Sequence, residues 1–221
     1  MAEPETEQQK PESAVSPGPA DGEVITRDDA GRITEKANFK AGKLDGEAVR
    51  YDETGAIIQT VNFKAGLMNG EMVFFNKGGM LLKSFYKDGK LDGVSLTFDE
   101  TGKPIMQAEY KAGKLDGDSH WFAPDGKAVK RSQFRDDQLE GITVEYYPGG
   151  KPHIKSEYKR NKLDGEMVEY AEDGQIKGRT LYEAGKPVDL KTQFENWKLK
   201  YRIPDPKTNN VKSDRAVRRA S

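Results

Sequence analysis

A period of 24 residues constrains this chain more than any other feature. The glycine of the word "LDG", or of its near copies, recurs at Gly46, Gly70, Gly93, Gly117, Gly141 and Gly165, and Gly22 lies one period earlier. A second glycine follows nine residues later each time, from Gly31 to Gly174. An aromatic comes next: Phe39, Phe63, Tyr86, Tyr110, Phe134, Tyr158 and Tyr182. One step is 23 residues, because one residue is missing between Gly79 and Tyr86; a local register adjustment is expected there. Registers that stay in phase over most of a chain define a repeat protein, whose units bury their apolar faces only by stacking on neighbours.

Each unit reads as a β-hairpin. Between turn signals lie short runs with period-2 alternation, as in "GEMVEYAEDGQ", which is strand and turn chemistry. In the first strand Val49, Val73, Leu96, His120, Val144 and Val168 share a face with Tyr51, Phe75, Phe98, Phe122, Tyr146 and Tyr170. In the return strand the anchor aromatic follows a small residue by two: Ala37, Val61, Ser84, Ala108, Ser132, Ser156, Thr180. One aromatic and one charged face are therefore expected, the charged one carrying Lys40, Lys64, Lys87, Lys111, Arg135 and Lys159. In the "AGK" turn, Gly42, Gly66, Gly89, Gly113 and Gly185 alternate with Asp137 and Asn161. Asp and Asn are the residues that best tolerate the left-handed region, so positive φ is expected there. The glycine of "LDG" is never replaced in its six full copies, which points to glycine-only angles or to a close approach. The fold expected is all-β: repeated hairpins of period about 24 in one elongated, twisted antiparallel sheet.

The repeats bound the domain. Residues 1–20, rich in Pro, Glu, Gln and Ser, read as a disordered acidic tail with no apolar core for a secretory leader. Residues 21–203 form the repeat domain, closed by "FENWKLKYRIP", which alternates Trp197, Leu199, Tyr201 and Ile203 as an edge strand. Residues 204–221 read as a disordered basic tail. Hydrophobic residues are 34% and charged residues 33%, so much of the protein faces water. The absence of cysteine removes disulfides and thiolate chemistry and fits the cytoplasm. A net charge of −1 provides no field for a polyanion, and no nucleic acid is expected.

The pattern "YKxGKLDGExxxYxxxGxI", spread over about residues 22–186, resembles the MORN-variant repeat of the YwqK-type antitoxin family. The words Gly-x-Trp and His-Gly of true MORN repeats are missing. The resemblance implies a MORN-like hairpin sheet, and small bacterial proteins some of which pair with a toxin as antitoxin or immunity partner.

No catalytic, metal or cofactor constellation is legible. His120 and His153 are the two histidines, with none of the clustered ligands that a metal needs. Ser119 adjoins His120, but neighbours on a strand point to opposite faces. Asp45, Asp92, Asp116 and Asp164 recur with the turn and read as turn caps rather than as acid–base pairs. Trp121, Phe74 and Phe85 interrupt the charged face and are the expected partner-binding patch. The function expected is that of a non-catalytic antitoxin or immunity-type protein that occludes a cognate toxin. The alternative is a structural scaffold or membrane-surface module of MORN type; against it, Glu109 and Glu157 stand two positions from lysines of the ladder, and no membrane partner is expected. Self-association through an open edge strand is a further expectation.

Overall fold

The computed structural model describes residues 19–77 and 79–189, with Lys191 and Phe194 beyond them. Both tails fall outside that range except for Pro19 and Ala20. The expected closing strand also falls outside it, apart from Phe194, whose backbone is helical. Sixteen antiparallel strands form one open sheet, and the chain divides into two units, Met1–Gly126 and Lys127–Ser221. The first unit holds β1 (Gly22–Arg27), β2 (Ile33–Lys40), β3 (Lys43–Tyr51), β4 (Ile57–Lys64), β5 (Leu67–Asn76), β6 (Gly79–Lys87), β7 (Lys90–Leu91), β8 (Gly93–Phe98), β9 (Pro104–Lys111) and β10 (Lys114–Phe122). The second holds β11 (Ala128–Arg135), β12 (Gln138–Tyr146), β13 (Pro152–Lys159), β14 (Lys162–Tyr170), β15 (Ile176–Glu183) and β16 (Lys186–Pro187). Strands pair in chain order, with β7 a short piece on β6 beside β8.

The "AGK" turns are two-residue hairpin loops. Lys40 pairs with Lys43 across Ala41 and Gly42, and both loop residues have positive φ, 49° and 70°. This is the type I′ turn, whose twist matches that of the flanking strands. The expected positive φ at Asp137 and Asn161 is present, at 65° in each. The residue before them is left-handed as well, even where it is Ala65, Ala112 or Arg160.

What holds an alanine in the left-handed region comes from the preceding repeat. The Asp45 carboxylate accepts from the Ala65 N–H at 3.0 Å, and the Leu44 carbonyl accepts from the Gly66 N–H at 2.7 Å. Asp21, Asp92 and Asp164 do the same for Ala41, Ala112 and Ala184. Glu140 does it for Arg160. The "LD" words at Asp45, Asp92 and Asp164 thus secure the "AG" of the next copy, which is why the two words keep one period. These three aspartates are turn caps, as expected, but for a turn 20 residues on.

The "LDG" glycine sits in a bulge. In the β2–β3 pair, Ala37 faces Ala48 and Phe39 faces Leu44, so β3 spends four residues where β2 spends two. Gly46 reaches φ 111°, and its five counterparts lie between 105° and 128°. A Cβ on Gly46 would stand 3.1 Å from Cβ of Asn38. Both expected reasons for glycine therefore hold at this position.

The pairing of the strands corrects the expected faces. Alanine 37 pairs with Ala48, whereas Val49 pairs with Lys36. Paired residues share a face, so the small residues and anchor aromatics lie on one face, and Val49 with Tyr51 on the other. The sheet has two half-apolar faces rather than one aromatic and one charged. On the anchor face a row of small residues is buried, including Ala37, Ala48, Val61, Ser84, Ala108 and Ser132, the last 0% exposed. A one-layered sheet can bury a side chain that deeply only when larger neighbours on the same face lean over it. Row members also bond one another: Ser84 Oγ lies 2.8 Å from Ser95 Oγ, and Thr143 Oγ1 donates to Ser132 Oγ at 3.0 Å.

The missing residue of the 23-residue step is absorbed in a turn, not in strand register. Phe74 pairs with Leu82 and Phe75 with Met80, the same offset as Arg50–Gln59 and Tyr51–Ile57. The difference is that Asn76 and Gly79 now pair, which shortens the loop.

Candidate protein-binding surface

The three rings singled out by sequence do not form one patch. Phe74 pairs with Gln59 and Leu82, and Trp121 with Met106. Both lie on the anchor face, not on the charged face where they were expected. Phe85 adjoins buried Ser84 on β6 and so points to the opposite face. There it pairs with Glu71 and lies beneath Lys83, whose Nζ is 5.4 Å from the ring centroid. Lys83 in turn is 2.5 Å from the Glu71 carboxylate. Phe85 also replaces the residue that elsewhere spans the bulge, its Cβ lying 3.2 Å from a Cβ built on Gly93. Its ring, 37% exposed, is engaged in local packing.

Phe74 and Trp121 instead belong to a row crossing the first unit. Phe74 faces Leu82, Leu82 faces Thr97, Thr97 faces Met106 and Met106 faces Trp121. At about 4.8 Å between strands this row is about 19 Å long. It continues on the other side as Gln59, Arg50 and Glu35, so its apolar stretch ends against charge. Phe74 is 37% exposed, and Leu82, Met106 and Trp121 are half-buried. In the second unit the equivalent row reads Lys130, Glu145, Ile154, Glu169 and Gly178, which is largely charged. Leu82 and Met106 were missed in the sequence because only the pairing register joins them to Phe74 and Trp121.

The histidines remain apart. His120 pairs with Gln107, and its ring stacks near Phe122 with centroids 6.2 Å apart. Ser119 pairs with Ala108 on the other face and is buried, so the two form no nucleophile–base pair. His153 lies against Tyr147, with ring centroids 4.3 Å apart, while the Tyr147 hydroxyl donates to the Tyr170 carbonyl at 2.8 Å. Both aromatic contacts are packing. Among the described residues no group of three or more His, Cys, Asp or Glu is placed to hold a metal ion.

The loops opposite the I′ turns are ordered by aspartate. Asp99 Oδ1 accepts from the Thr101 and Lys103 N–H groups and from the Thr101 hydroxyl, at 2.7–3.0 Å. Asp52 does the same with Thr54 and Ala56. The threonine hydroxyl, then the backbone N–H groups, hold both carboxyls below the ordinary aspartate range. From these loops Lys103 and Lys151 reach carbonyls of the following copy, Pro124 and Glu172, at 2.8 Å.

Four segments of the chain, residues 44–65, 91–112, 139–160 and 163–184, match the repeat family described as MORN repeat variant. Each runs from the leucine of "LDG" or its counterpart to the first residue of the next I′ turn, which is the unit that the hydrogen bonds define. No curated protein matches the sequence. A solved structure described as "Crystal structure of GtfA/B complex bound to UDP and GlcNAc" aligns with 62% of this chain at 11% identity and a TM-score of 0.21. The aligned part spans 26% of that chain, and a likeness this low supports no functional argument.

Proposed function

We propose that this MORN-repeat protein is a non-catalytic binding protein of the antitoxin or immunity type, which acts in the cytoplasm by covering the working surface of a cognate protein toxin. The observation that carries this reading is the row from Phe74 to Trp121, where large apolar side chains stand in register on adjacent strands of the first unit, while the equivalent row of the second unit is largely charged. An exposed ring such as Phe74 has no solvation reason to be there, and Trp is enriched among interface hot spots. A row held by strand pairing is already ordered, so association costs little conformational entropy.

The test is titration calorimetry against the protein encoded beside this one. Trp121→Ala is expected to weaken the complex about thirtyfold, about 2 kcal/mol, with Phe74→Ala in the same direction and Phe85→Ala within a few-fold of wild type. Equal binding by wild type and Trp121→Ala overturns the reading. So does tight flotation with anionic liposomes, which would favour the scaffold alternative; for that alternative the relevant feature is the exposed lysines that face each other across I′ turns, such as Lys40 with Lys43 and Lys159 with Lys162.

A further inference from the structure

At five of the six bulged "LDG" strands that follow a return strand, a polar side chain of that return strand spans the bulge, and at Gly93 Phe85 stands in its place. Asn38 and Asn62 donate to the carbonyls of Glu47 and Glu71 at 3.0 and 3.1 Å. Gln133 accepts from the Ile142 N–H at 2.8 Å, and Glu109 and Glu157 accept from Asp118 and Glu166 at 3.4 Å. The residue after the glycine thus turns both its backbone groups toward the preceding strand. Strand β1 is built the same way. Gly22 has φ 113°, and Asp21 caps the Ala41 N–H at 2.6 Å. Yet among the described residues β1 pairs only with β2, and a Cβ on Gly22 would meet nothing within 4 Å. The bulge is formed, and among the described residues nothing occupies the position that spans it. Ile25, two residues beyond Glu23, is 42% exposed and directs its backbone groups to the same open side, because that direction alternates along a strand.

We infer that the β1 edge is a docking lane for an extended segment of another protein, one carrying a small residue, then Asn, Gln or Glu, then an aromatic, then Lys or Arg. The internal lanes are filled by such segments: Ala37-Asn38-Phe39-Lys40, Ala108-Glu109-Tyr110-Lys111 and Ser156-Glu157-Tyr158-Lys159 among them. The same register places the incoming small residue opposite Val24 and the residue before it opposite Ile25. This is strand addition, in which main-chain bonds supply affinity and alternate side chains supply specificity. A second copy fits poorly. The outer side of its terminal return strand β15 is already taken: Leu181, at the spanning position, accepts from the Val188 N–H at 2.8 Å, and Tyr182 pairs with Pro187. The chain's own Ser13-Ala14-Val15-Ser16, one period before Ala37, has neither the polar group nor the ring. The lane is independent of the Phe74–Trp121 row.

The experiment is fluorescence anisotropy of a labelled peptide spanning residues 151–160 of this chain, titrated with the full-length protein. Saturable binding is expected. It should weaken at least about tenfold when the peptide carries Glu157→Leu with Tyr158→Ser, and likewise when the protein carries Ile25→Pro or Glu23→Pro, since each proline removes an N–H from the lane. Proline is tolerated on an edge whose N–H faces solvent, so the melting temperatures of both variants should stay near wild type. Trp121→Ala should bind the peptide as wild type does. A peptide that fails to saturate overturns the proposal, as does equal binding by the proline variants. A concentration-dependent oligomer that Ile25→Pro dissolves also overturns it, by placing a second copy in the lane.

Discussion

At the scale of the residue, short polar side chains do most of the ordering. Asp99 satisfies two backbone N–H groups and one hydroxyl of its own loop, and its carboxyl is held below the ordinary range chiefly by the Thr101 hydroxyl. A carboxyl whose folded pKa is depressed adds stability that is complete above its unfolded pKa, about 3.9, and is lost as pH falls through the folded value. Asp52 and Asp28 are shifted the same way. The urea midpoint should therefore fall between about pH 5 and pH 2, and Asp52→Asn with Asp99→Asn should flatten that fall while lowering the midpoint at neutral pH. Denaturation curves at several pH values check this; an unchanged acid limb in the double variant would refute it.

At the scale of the element, each first strand owes its shape to one glycine. A Cβ on Gly165 would stand 2.8 Å from Cβ of Glu157, at a φ of 125° that L side chains rarely adopt. The Glu157 carboxylate, which is nearer still, can rotate away, but the contact with its Cβ cannot be relieved by rotation. Gly165→Ala is expected to cost about 1–3 kcal/mol, read as a lower melting temperature. Gly174→Ala, with open space around its Cβ and a φ of 92°, should cost less because only the backbone strain applies. Equal losses at the two sites would mean that the approach of Glu157 to the bulge has no energetic weight.

At the scale of the whole molecule, hydrogen bonds link copies that are about one period apart, most of them from a side chain that reaches forward and one, from Asn161 to the Leu139 N–H, reaching back. Asp45 caps the turn at Ala65, and Asp92 the turn at Ala112. Removing residues 46–69 would join Asp45 to Gly70 and bring its carboxylate to the turn at Asp88 and Gly89, where Asn69 now contacts Asp88 at 3.3 Å. The shortened chain should fold cooperatively with a modestly lower melting temperature, because stability in stacked repeats is roughly a sum of units and their interfaces. Circular dichroism melts decide it. Loss of the strand signal in the deletion, with retention in Gly165→Ala, would show that the sheet is not modular.

The sequence by itself determined the repeat, the hairpin, the positive φ at Asp137 and Asn161 and the need for glycine at Gly46, since each is a property of a few neighbouring residues and their own torsions. It also pointed to aspartate as a turn cap. It did not show that Asp45 acts on the following copy, because 20 residues separate donor and acceptor. Only the tertiary structure decided which residues share a face. Phe39 pairs with Leu44, side chains alternate with period 2, and the bulge at Gly46 adds an even number of residues, so it is the pairing of first and return strands that puts Val49 on the face opposite Phe39. For the same reason Phe74 and Trp121 leave the charged face, where Phe85 stays, and Leu82 and Met106 join them. The open lane beside β1 is likewise a property of pairing, because which strands have a neighbour among the described residues is written in the register and not in the strand itself.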